Sequence, residues 1–462
     1  MALAVFVLAP FPLGSTDQIW ICIWSVLMAI SLLTADLGSI RREDLRLLAP
    51  LFATLAVVGA VLVMQDWRDP PSALANPVWR LPADILGISL PGRISTTASG
   101  PLLALGYPLL FFMVFIRAII LATDARTARQ LLLIMAWAGC GYALYGILAE
   151  LGDPTLLLFR RKEAYLGYAT GTFVNRNTAA TFWGSSALLF LVPLLRFAHR
   201  RDRADAPPSR RPIAMLAHYL SSPTALAFGF AVCVAAIAMT GSRAGLLLSI
   251  CAFLVAGALY LAPLPIDNLR RWGLGAGVAV LALMLLQFVG GTVAGRIGSH
   301  GLIDEQRLAA YGRAIAMIRD YPLLGIGYGN FEVTFPAYRT AELGSVGVWD
   351  RAHSTPLELA AELGLPATVL IAIICLWYVY LLFWSSLRRR RDRYIPIAGA
   401  SVAALGLLHS SIDFSLQIPG FGVFFAAIVG CGLAQSLPSS LRKENGRCGK
   451  NYGPIYQLNV SD

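Results

Sequence analysis

Long apolar runs dominate the chain, and most contain close to the ~20 residues that a helix needs to cross a bilayer. The first run, "MALAVFVLAPFPLG", lacks a basic region and leads directly into another apolar run, so we interpret it as a short first span rather than a signal peptide. The tenth run is long enough for a tilted or extended helix. The runs cover residues 2–14, 18–35, 47–64, 101–122, 130–150, 178–195, 220–240, 244–263, 273–290, 356–386, 395–410 and 418–436.

This pattern predicts an all-α polytopic membrane protein with about twelve transmembrane helices, built as a single integral membrane domain over residues 1–462. Arginine-dense breaks alternate with the other connections, and the positive-inside rule makes them and both termini cytoplasmic. The dense breaks lie at 41–46, 126–129, 196–211, 270–271, 388–393 and in the tail from 442. The opposite side receives residues 65–100, 151–177, 240–243 and a large loop over 291–355.

Composition agrees with this assignment, since 57% of the residues are hydrophobic and only 14% are charged. The net charge of +11 comes mostly from the short breaks, where it sets topology, which argues against a nucleic-acid partner. Nearly all of the positive charge comes from arginine rather than lysine. A GC-rich genome explains this preference, and a protein that binds phosphate groups would also favour arginine. The seven cysteines are scattered without a CxxC pair and predict neither a disulfide framework nor a metal site.

The outer segments carry many cations, against the topological preference. An anionic partner on this face would account for them. They are Arg160, Arg161, Lys162, Arg176, Arg243, Arg296, Arg307, Arg313, Arg319, Arg339 and Arg351.

A short helix is predicted inside the large outer loop, because apolar residues recur there at spacings of 3, 4 and 3 before Pro322. The stripe consists of Leu308, Tyr311, Ile315 and Ile318. We expect this helix to rest at the membrane interface, with its arginines available to headgroup phosphates or to substrate. For Arg313 and Arg319, a plain lipid contact is the preferred interpretation.

The stretch "WDRAHSTPLELAAELG" predicts the start of the tenth span, with Thr355 as the N-cap and Glu358 completing a capping box. His353 would lie just outside this helix, where the partial positive charge of the N-terminus disfavours the imidazolium and leaves the ring able to accept a proton. Glu358 and Glu362, one turn apart, could orient His353 or an incoming hydroxyl group. The alternatives are an interfacial histidine and a merely capping Glu358, whereas Glu362 has no capping role.

Three further stretches hold candidate residues near the outer face. In "MTGSRAGLLL", Ser242 is a predicted cap and Arg243 could bind a diphosphate through a bidentate contact, or snorkel to lipid phosphate. In "GTFVNRNTAATF", the asparagines are predicted caps, so only Arg176 is a functional candidate. In "LHSSIDFSLQIPG", the polar side chains could hold a polar substrate, pair with an outer arginine, or shape the turn before the last span. These polar residues are His409, Asp413 and Gln417.

Taken together and in this order, "TGSRAGLL", "QRLAAYGRAIAMIRDYPLLGIGYGNF" and "AHSTPLELAAELG" resemble the O-antigen ligase and polymerase superfamily of bacterial inner membranes. The resemblance is clearest over a core at residues 170–370, and it places the loop over 291–355 in the periplasm. "GTFVNRN" and "HSSIDFSLQIPG" are similar to patterns of members linked to surface polysaccharide and exopolysaccharide.

The resemblance implies a metal-independent C-type glycosyltransferase without a cofactor, which takes a glycan from an undecaprenyl-diphosphate carrier. Carried over residue by residue, it makes Arg243 and Arg307 the groups that bind the diphosphate and offset charge on the leaving group. His353 would deprotonate or position the acceptor hydroxyl. An aromatic position of the loop helix, tryptophan-like in the family, is Tyr311 here. Further substrate-binding candidates are Arg176, Arg351, Glu358, Glu362, Asp413 and Gln417.

Several acceptors fit this chemistry: a lipid A core sugar, the growing glycan, or a protein hydroxyl as in an O-oligosaccharyltransferase. We prefer ligase or polymerase because of "HSSIDFSLQIPG". The rival of a different class is a transporter or flippase for a polysaccharide lipid, but the polar residues gather at the outer edge rather than at the midplane. Expected partners are therefore the lipid-linked donor, one of these acceptors and membrane lipids.

Overall fold

A computed structural model describes residues 1–36, 38, 42–199, 212–263, 305–343, 349–389 and 391–436. The predicted span at 273–290, the loop segment 291–304 and the basic tail lie outside the described residues. Two-residue strands β1 (Leu156–Leu157) and β2 (Arg160–Arg161) form a small antiparallel hairpin. The helices are α1 (Ala2–Leu8), α2 (Gln18–Leu33), α3 (Arg42–Gln65), α4 (Arg80–Leu86), α5 (Gly100–Leu103), α6 (Gly106–Leu121), α7 (Ala125–Gly152), α8 (Arg176–His199), α9 (Pro212–Leu220), α10 (Pro223–Met239), α11 (Arg243–Leu261), α12 (Glu305–Asp320), α13 (Phe331–Thr334), α14 (Thr355–Leu363), α15 (Leu365–Arg388), α16 (Tyr394–Ser410) and α17 (Pro419–Ala434).

Six helical stretches in the described part of the chain are long and apolar enough to cross a membrane, namely α3, α5 with α6, α7, α8, α11 and α15. Four shorter apolar helices accompany them: α2, α10, α16 and α17. The chain is therefore mostly helical and of the membrane type, as predicted, while the count of about twelve spans stays a prediction.

The centre of the bundle is α17, whose residues are all buried. It packs against α6 and α16, and α16 in turn packs against α8 and α11. Small residues permit this approach: a Cβ built at Gly399 of α16 would lie only 3.0 Å from the Cα of Gly432 in α17. Close packing of backbones through small residues is typical of helices in membranes.

The first apolar run does not form a span, so that prediction is wrong. Helix α1 has 7 residues and ends at Leu8. At ~1.5 Å per residue it rises about 10 Å, a third of the ~30 Å hydrocarbon core of a bilayer. Pro10 and Pro12 follow directly, and proline has no backbone N–H with which to continue a helix.

The tenth run is also not a single helix. It divides into α14 and α15 at Gly364, whose backbone adopts φ 79° and ψ 165°. A Cβ built on Gly364 would lie 2.2 Å from the carbonyl oxygen of Leu323, so only glycine fits this junction. Since only α15 is long and apolar enough to cross a membrane, α14 belongs to the loop before it.

The described parts of the large loop enclose a small apolar core of their own, which we call the cap. Helices α12, α13 and α14 and the short segments next to them supply its buried side chains, including Ala310, Ala314, Met317, Ile318, Phe331, Phe335, Ala352 and Ala361. Two of the four residues in the predicted stripe on α12 lie outside the cap core, since Leu308 and Ile315 are 53% and 40% exposed, and the contact of this stripe with the membrane interface stays a prediction. Alanines face the cap instead, since their small side chains let α12 pack closely against the neighbouring segments. The helix does end at Asp320, before Pro322, as predicted.

Gln65, at the end of α3, attaches the cap to the bundle. Its side-chain amide donates to the carbonyl oxygens of Leu324 and Glu362, at 2.5 and 2.7 Å. Its side-chain oxygen accepts the backbone N–H of Tyr328 at 3.0 Å. One side chain thus satisfies three backbone groups of two cap segments and fixes the cap over the end of α3.

Candidate functional site

Asp413, in the turn between α16 and α17, is a buried carboxylate on which two distant elements converge. Its Oδ2 accepts a hydrogen bond from Nδ2 of Asn177 and lies 3.5 Å from Nη2 of Arg307. Nη1 of Arg307 donates to the carbonyl oxygen of Ile412 at 3.1 Å. The sequence left three roles open for Asp413: holding a polar substrate, pairing with an outer arginine, or shaping the turn. In the structure, Asp413 pairs with an outer arginine.

Asn177 extends this connection to α11. Its Oδ1 accepts a hydrogen bond of 2.8 Å from the hydroxyl of Ser242. Ser242 also accepts the N–H of Gly245 and so caps α11, as the sequence predicted. Because Arg243 is the first residue of that helix, the Asn177 side chain links the segments that carry two predicted catalytic arginines.

Arg176 lies in the same neighbourhood. Arg243 and Arg307 both repel the Arg176 guanidinium, and the Asp413 carboxylate attracts it. We call Arg176, Arg243 and Arg307 the arginine cluster. With three guanidinium groups and one carboxylate, its formal charge is 3 − 1 = +2, which suits an anionic ligand.

Two tyrosines from the loop before α8 hold the Arg176 guanidinium. Its Cζ lies 5.3 Å from the ring centroid of Tyr165 and 4.7 Å from that of Tyr168, distances typical of cation–π contacts. Burial raises the pKa of Tyr165, and Asp413 raises it further, while Arg176 and Arg307 act in the opposite direction. Tyr165 is therefore a neutral hydrogen-bonding group beside the cluster.

His353 lies two residues before the start of α14, with a left-handed backbone at φ 52°. Such a backbone is uncommon outside glycine, although histidine tolerates it better than most residues. Its ring packs edge-on against Trp349 and Phe414, with centroids 5.6 and 4.9 Å away. Its carbonyl oxygen accepts the hydroxyl of Tyr311 at 2.9 Å. Tyr311 is one turn from Arg307, and Phe414 follows Asp413, so the cluster and His353 share two supporting segments.

A second group of predicted residues lines a cavity of about 240 Å³ beside α14. These residues are Arg351, Glu358, Glu362 and Gln417, and Tyr107 and Tyr328 are among the other residues that line it. Arg351 and Gln417 of this cavity lie in the same short segments as His353 and Asp413, respectively, so the cavity adjoins the arginine cluster. The predicted site residues thus fall into two adjacent groups rather than one.

The predicted capping box at the start of α14 is wrong. Ser354 is the N-cap, and no side chain caps the helix. The Glu358 carboxylate accepts the N–H of Ala352 at 2.7 Å and contacts Nη1 of Arg351 at 3.3 Å. The left-handed turn at His353 folds Ala352 back over the first turn of the helix, where its N–H meets Glu358.

Glu362 is buried, and its carboxyl oxygen accepts the N–H of Phe331 at 2.9 Å. Burial raises its pKa to about 8, with a further contribution from Glu358, while the N–H groups of Gly329 and Phe331 act in the opposite direction. Burial also raises the pKa of Glu358, and Arg351 opposes that change. The Glu362 carboxyl therefore keeps its proton at neutral pH, which gives the cavity a hydrogen-bond donor beside the acceptor oxygens of Glu358.

Sequence reasoning missed Asn177, Ser242 as a partner of Asn177, and the tyrosines at 107, 165 and 328. A signal was present for Asn177: it stands inside the first turn of an apolar helix, where a second asparagine has no capping role. No group of three or more histidine, cysteine or acidic side chains in the described residues is arranged to hold a metal ion.

Helices of membrane-spanning length, with a group of arginines at one end of the bundle beside the cap, indicate a polytopic membrane protein. Residues 228–372 match the family model for O-antigen ligase, which supports the O-antigen ligase and polymerase superfamily and confirms the resemblance seen in the sequence. A search of curated proteins finds no match to the chain. The matched segment contains Arg243, Arg307 and His353, and it supports an enzyme of the ligase or polymerase type, a glycosyltransferase class.

Proposed function

We propose that this protein transfers a glycan from an undecaprenyl-diphosphate carrier to a hydroxyl acceptor on the periplasmic face of the bacterial inner membrane. The observation that carries the proposal is a set of contacts near His353. Arg307 pairs with the buried Asp413, Arg243 and Arg307 both act electrostatically on Arg176, and Phe414, next to Asp413, packs against the His353 ring. Three guanidinium groups provide the planar, forked donors that suit a diphosphate.

In the proposed reaction, the acceptor oxygen attacks the anomeric carbon of the glycan while the bond from that carbon to the phosphate oxygen breaks. His353 accepts the hydroxyl proton, and undecaprenyl diphosphate leaves with the bonding electrons. Arg243 and Arg307 offset the negative charge that develops on the leaving phosphate. Because Asp413 is 1% exposed, we assign it a positioning role toward Arg307 rather than direct contact with substrate.

The cavity beside α14 is the proposed place for the acceptor saccharide. Its carboxyl groups, the Gln417 amide and the tyrosine hydroxyls offer paired donors and acceptors of the kind that sugar hydroxyls need. A saccharide acceptor favours ligase or polymerase activity over transfer to protein. The concentration of these groups at one end of the bundle favours chemistry there over transport, for which midplane sites are expected.

Binding of the diphosphate by the arginine cluster can be tested by replacing arginine, whose guanidinium offers a fork of donors, with lysine, whose ammonium group is a point charge. We expect Arg243→Lys and Arg307→Lys each to lower glycan transfer about 100-fold in membranes supplied with lipid-linked donor, because a lysine keeps the charge but loses the bidentate contact. Arg313→Lys, on the same helix as Arg307, is the matched control and should leave transfer unchanged. Wild-type transfer by both cluster variants would show that these arginines do not hold the diphosphate.

A further inference from the structure

A second cavity, of about 450 Å³, lies at the opposite end of the bundle. Helix α8 begins at the candidate site with Arg176, and its far end, at Leu189, Arg196 and Phe197, lines this cavity. Helix α16 runs the other way, from Tyr394 at the cavity to the turn that carries Asp413. The volume falls within the range of about 300–1,000 Å³ that is typical of ligand sites.

The wall of this cavity is mainly apolar, and its polar groups are cationic or neutral. The apolar lining includes Leu132, Leu133, Leu189, Phe197, Leu226 and Ala398. Arg129, Arg196 and His218 supply the basic groups, and no aspartate or glutamate is among the described lining residues. An apolar cleft with cations but no carboxylate suits an amphipathic anion.

The two arginines converge on one tyrosine. Cζ of Arg196 lies 5.6 Å from the ring centroid of Tyr394, and both Arg129 and Arg196 act electrostatically on the Tyr394 hydroxyl. Nη1 of Arg129 is 3.5 Å from Oδ1 of Asp392, but that side chain of Arg129 is still 40% exposed. Both guanidinium groups therefore stand near one point of the cavity wall.

We propose that this cavity binds an anionic phospholipid, with the headgroup phosphate between Arg129 and Arg196 and an acyl chain along the apolar wall. The cavity opens among the ends of α7, α8, α10 and α16, on the arginine-dense side, where a membrane interface would place headgroups. Basic pockets between membrane helices on the cytoplasmic side recognise such lipids. The site is separate from the glycan site and does not depend on its chemistry.

The test is native mass spectrometry of the delipidated full-length protein in detergent, titrated with phosphatidylglycerol or with phosphatidylcholine of the same acyl chains. We expect preferential retention of phosphatidylglycerol, and about tenfold weaker retention in the double variant Arg129→Gln with Arg196→Gln. Arg126→Gln, which removes one positive charge at an exposed position of the helix that carries Arg129, should retain the lipid like the wild type.

A second variant keeps both arginines and tests the cavity independently, in case the double variant does not fold. Ala217 lines the cavity and is exposed, so Ala217→Phe should block access and lower retention without overpacking a core. Equal retention of the two lipids, or wild-type retention by both cavity variants, would overturn the proposal. Displacement of the lipid by millimolar inorganic phosphate would also overturn it, because the site would then take the free anion.

Discussion

Asn177 and Asp413 connect the chain segments that carry the three arginines of the site. Asn177 uses both ends of its amide, donating to Asp413 and accepting from Ser242. Asp413 in turn holds Arg307. Buried polar groups with all partners in place orient one another, whereas the loss of one leaves the others unsatisfied.

We therefore expect Asn177→Ala to lower the free energy of unfolding by about 1–3 kcal/mol and to reduce glycan transfer by about tenfold or more. The stability effect arises because Asp413 and Ser242 each lose a buried partner. Thermal unfolding in detergent and transfer in membranes measure the two effects. Asn175→Ser is the control, since serine keeps the cap on α8 that Asn175 provides. Wild-type stability and transfer in Asn177→Ala would contradict this account.

Glu362 gives the protein a pH-dependent contribution to stability. In the unfolded chain the carboxyl loses its proton near the ordinary pKa of 4.5, whereas in the folded chain the pKa is about 8. Between these values the unfolded state binds fewer protons, so the free energy of unfolding falls as the pH rises through this window. We expect the melting temperature of the wild type to fall more steeply from about pH 5 to pH 8 than that of Glu362→Gln. Parallel pH profiles of the two proteins would show that the Glu362 pKa is not raised.

At the level of single residues, the sequence predicted where the candidate residues lie on their helices better than which residues they contact. Arg243 at a helix start and His353 before a helix follow from local patterns of caps and charges. The bond from Asn177 to Asp413 joins residues 236 positions apart, and nothing local in either stretch specifies that pairing.

Among the elements, the junction between α14 and α15 matters most for the site, because it separates the carboxylate-bearing helix from the membrane span. Hydropathy predicted one continuous helix, since Gly364 stands inside an apolar run. The break between the two helices depends on a tertiary contact. A distant segment brings the Leu323 carbonyl oxygen to a point only 2.2 Å from the position that a Cβ on Gly364 would occupy. The alanine face of α12 escaped prediction for a similar reason, as its partners come from elsewhere in the cap.

Gly364→Ala should destabilise the protein by at least about 1–3 kcal/mol, because alanine is strained at this positive φ and its Cβ would meet the Leu323 carbonyl. The melting temperature in detergent measures the effect. Gly312→Ala is the matched control: Gly312 lies on α12, and a Cβ added there would have no neighbour within 4 Å among the described residues, so alanine should be neutral or slightly stabilising. Equal melting temperatures for the two variants would argue against a glycine-dependent junction.

For the whole molecule, the distribution of charge predicts which end of the bundle faces the periplasm. The arginine cluster lies at the end opposite the arginine-dense breaks, so the site should face outward if the positive-inside rule holds. The sequence was sufficient for this large-scale order because long apolar helices and charged breaks are visible without tertiary contacts. The sequence did not predict the cap, because the core of the cap assembles from separate short segments.

Cysteine labelling in a background without native cysteines tests this orientation. Glu163 and Arg126 are both exposed and belong to opposite ends of the bundle. We expect Glu163→Cys to react with a membrane-impermeant maleimide in cells with a permeabilised outer membrane, and Arg126→Cys to react only after lysis. The reverse pattern would place the candidate site in the cytoplasm.

The most direct test of the account is glycan transfer by His353→Ala in membranes supplied with the lipid-linked donor. We predict a loss of about 100-fold or more, because the acceptor hydroxyl would have no base, with the melting temperature close to that of the wild type. Full transfer by a folded His353→Ala protein would contradict the proposed mechanism.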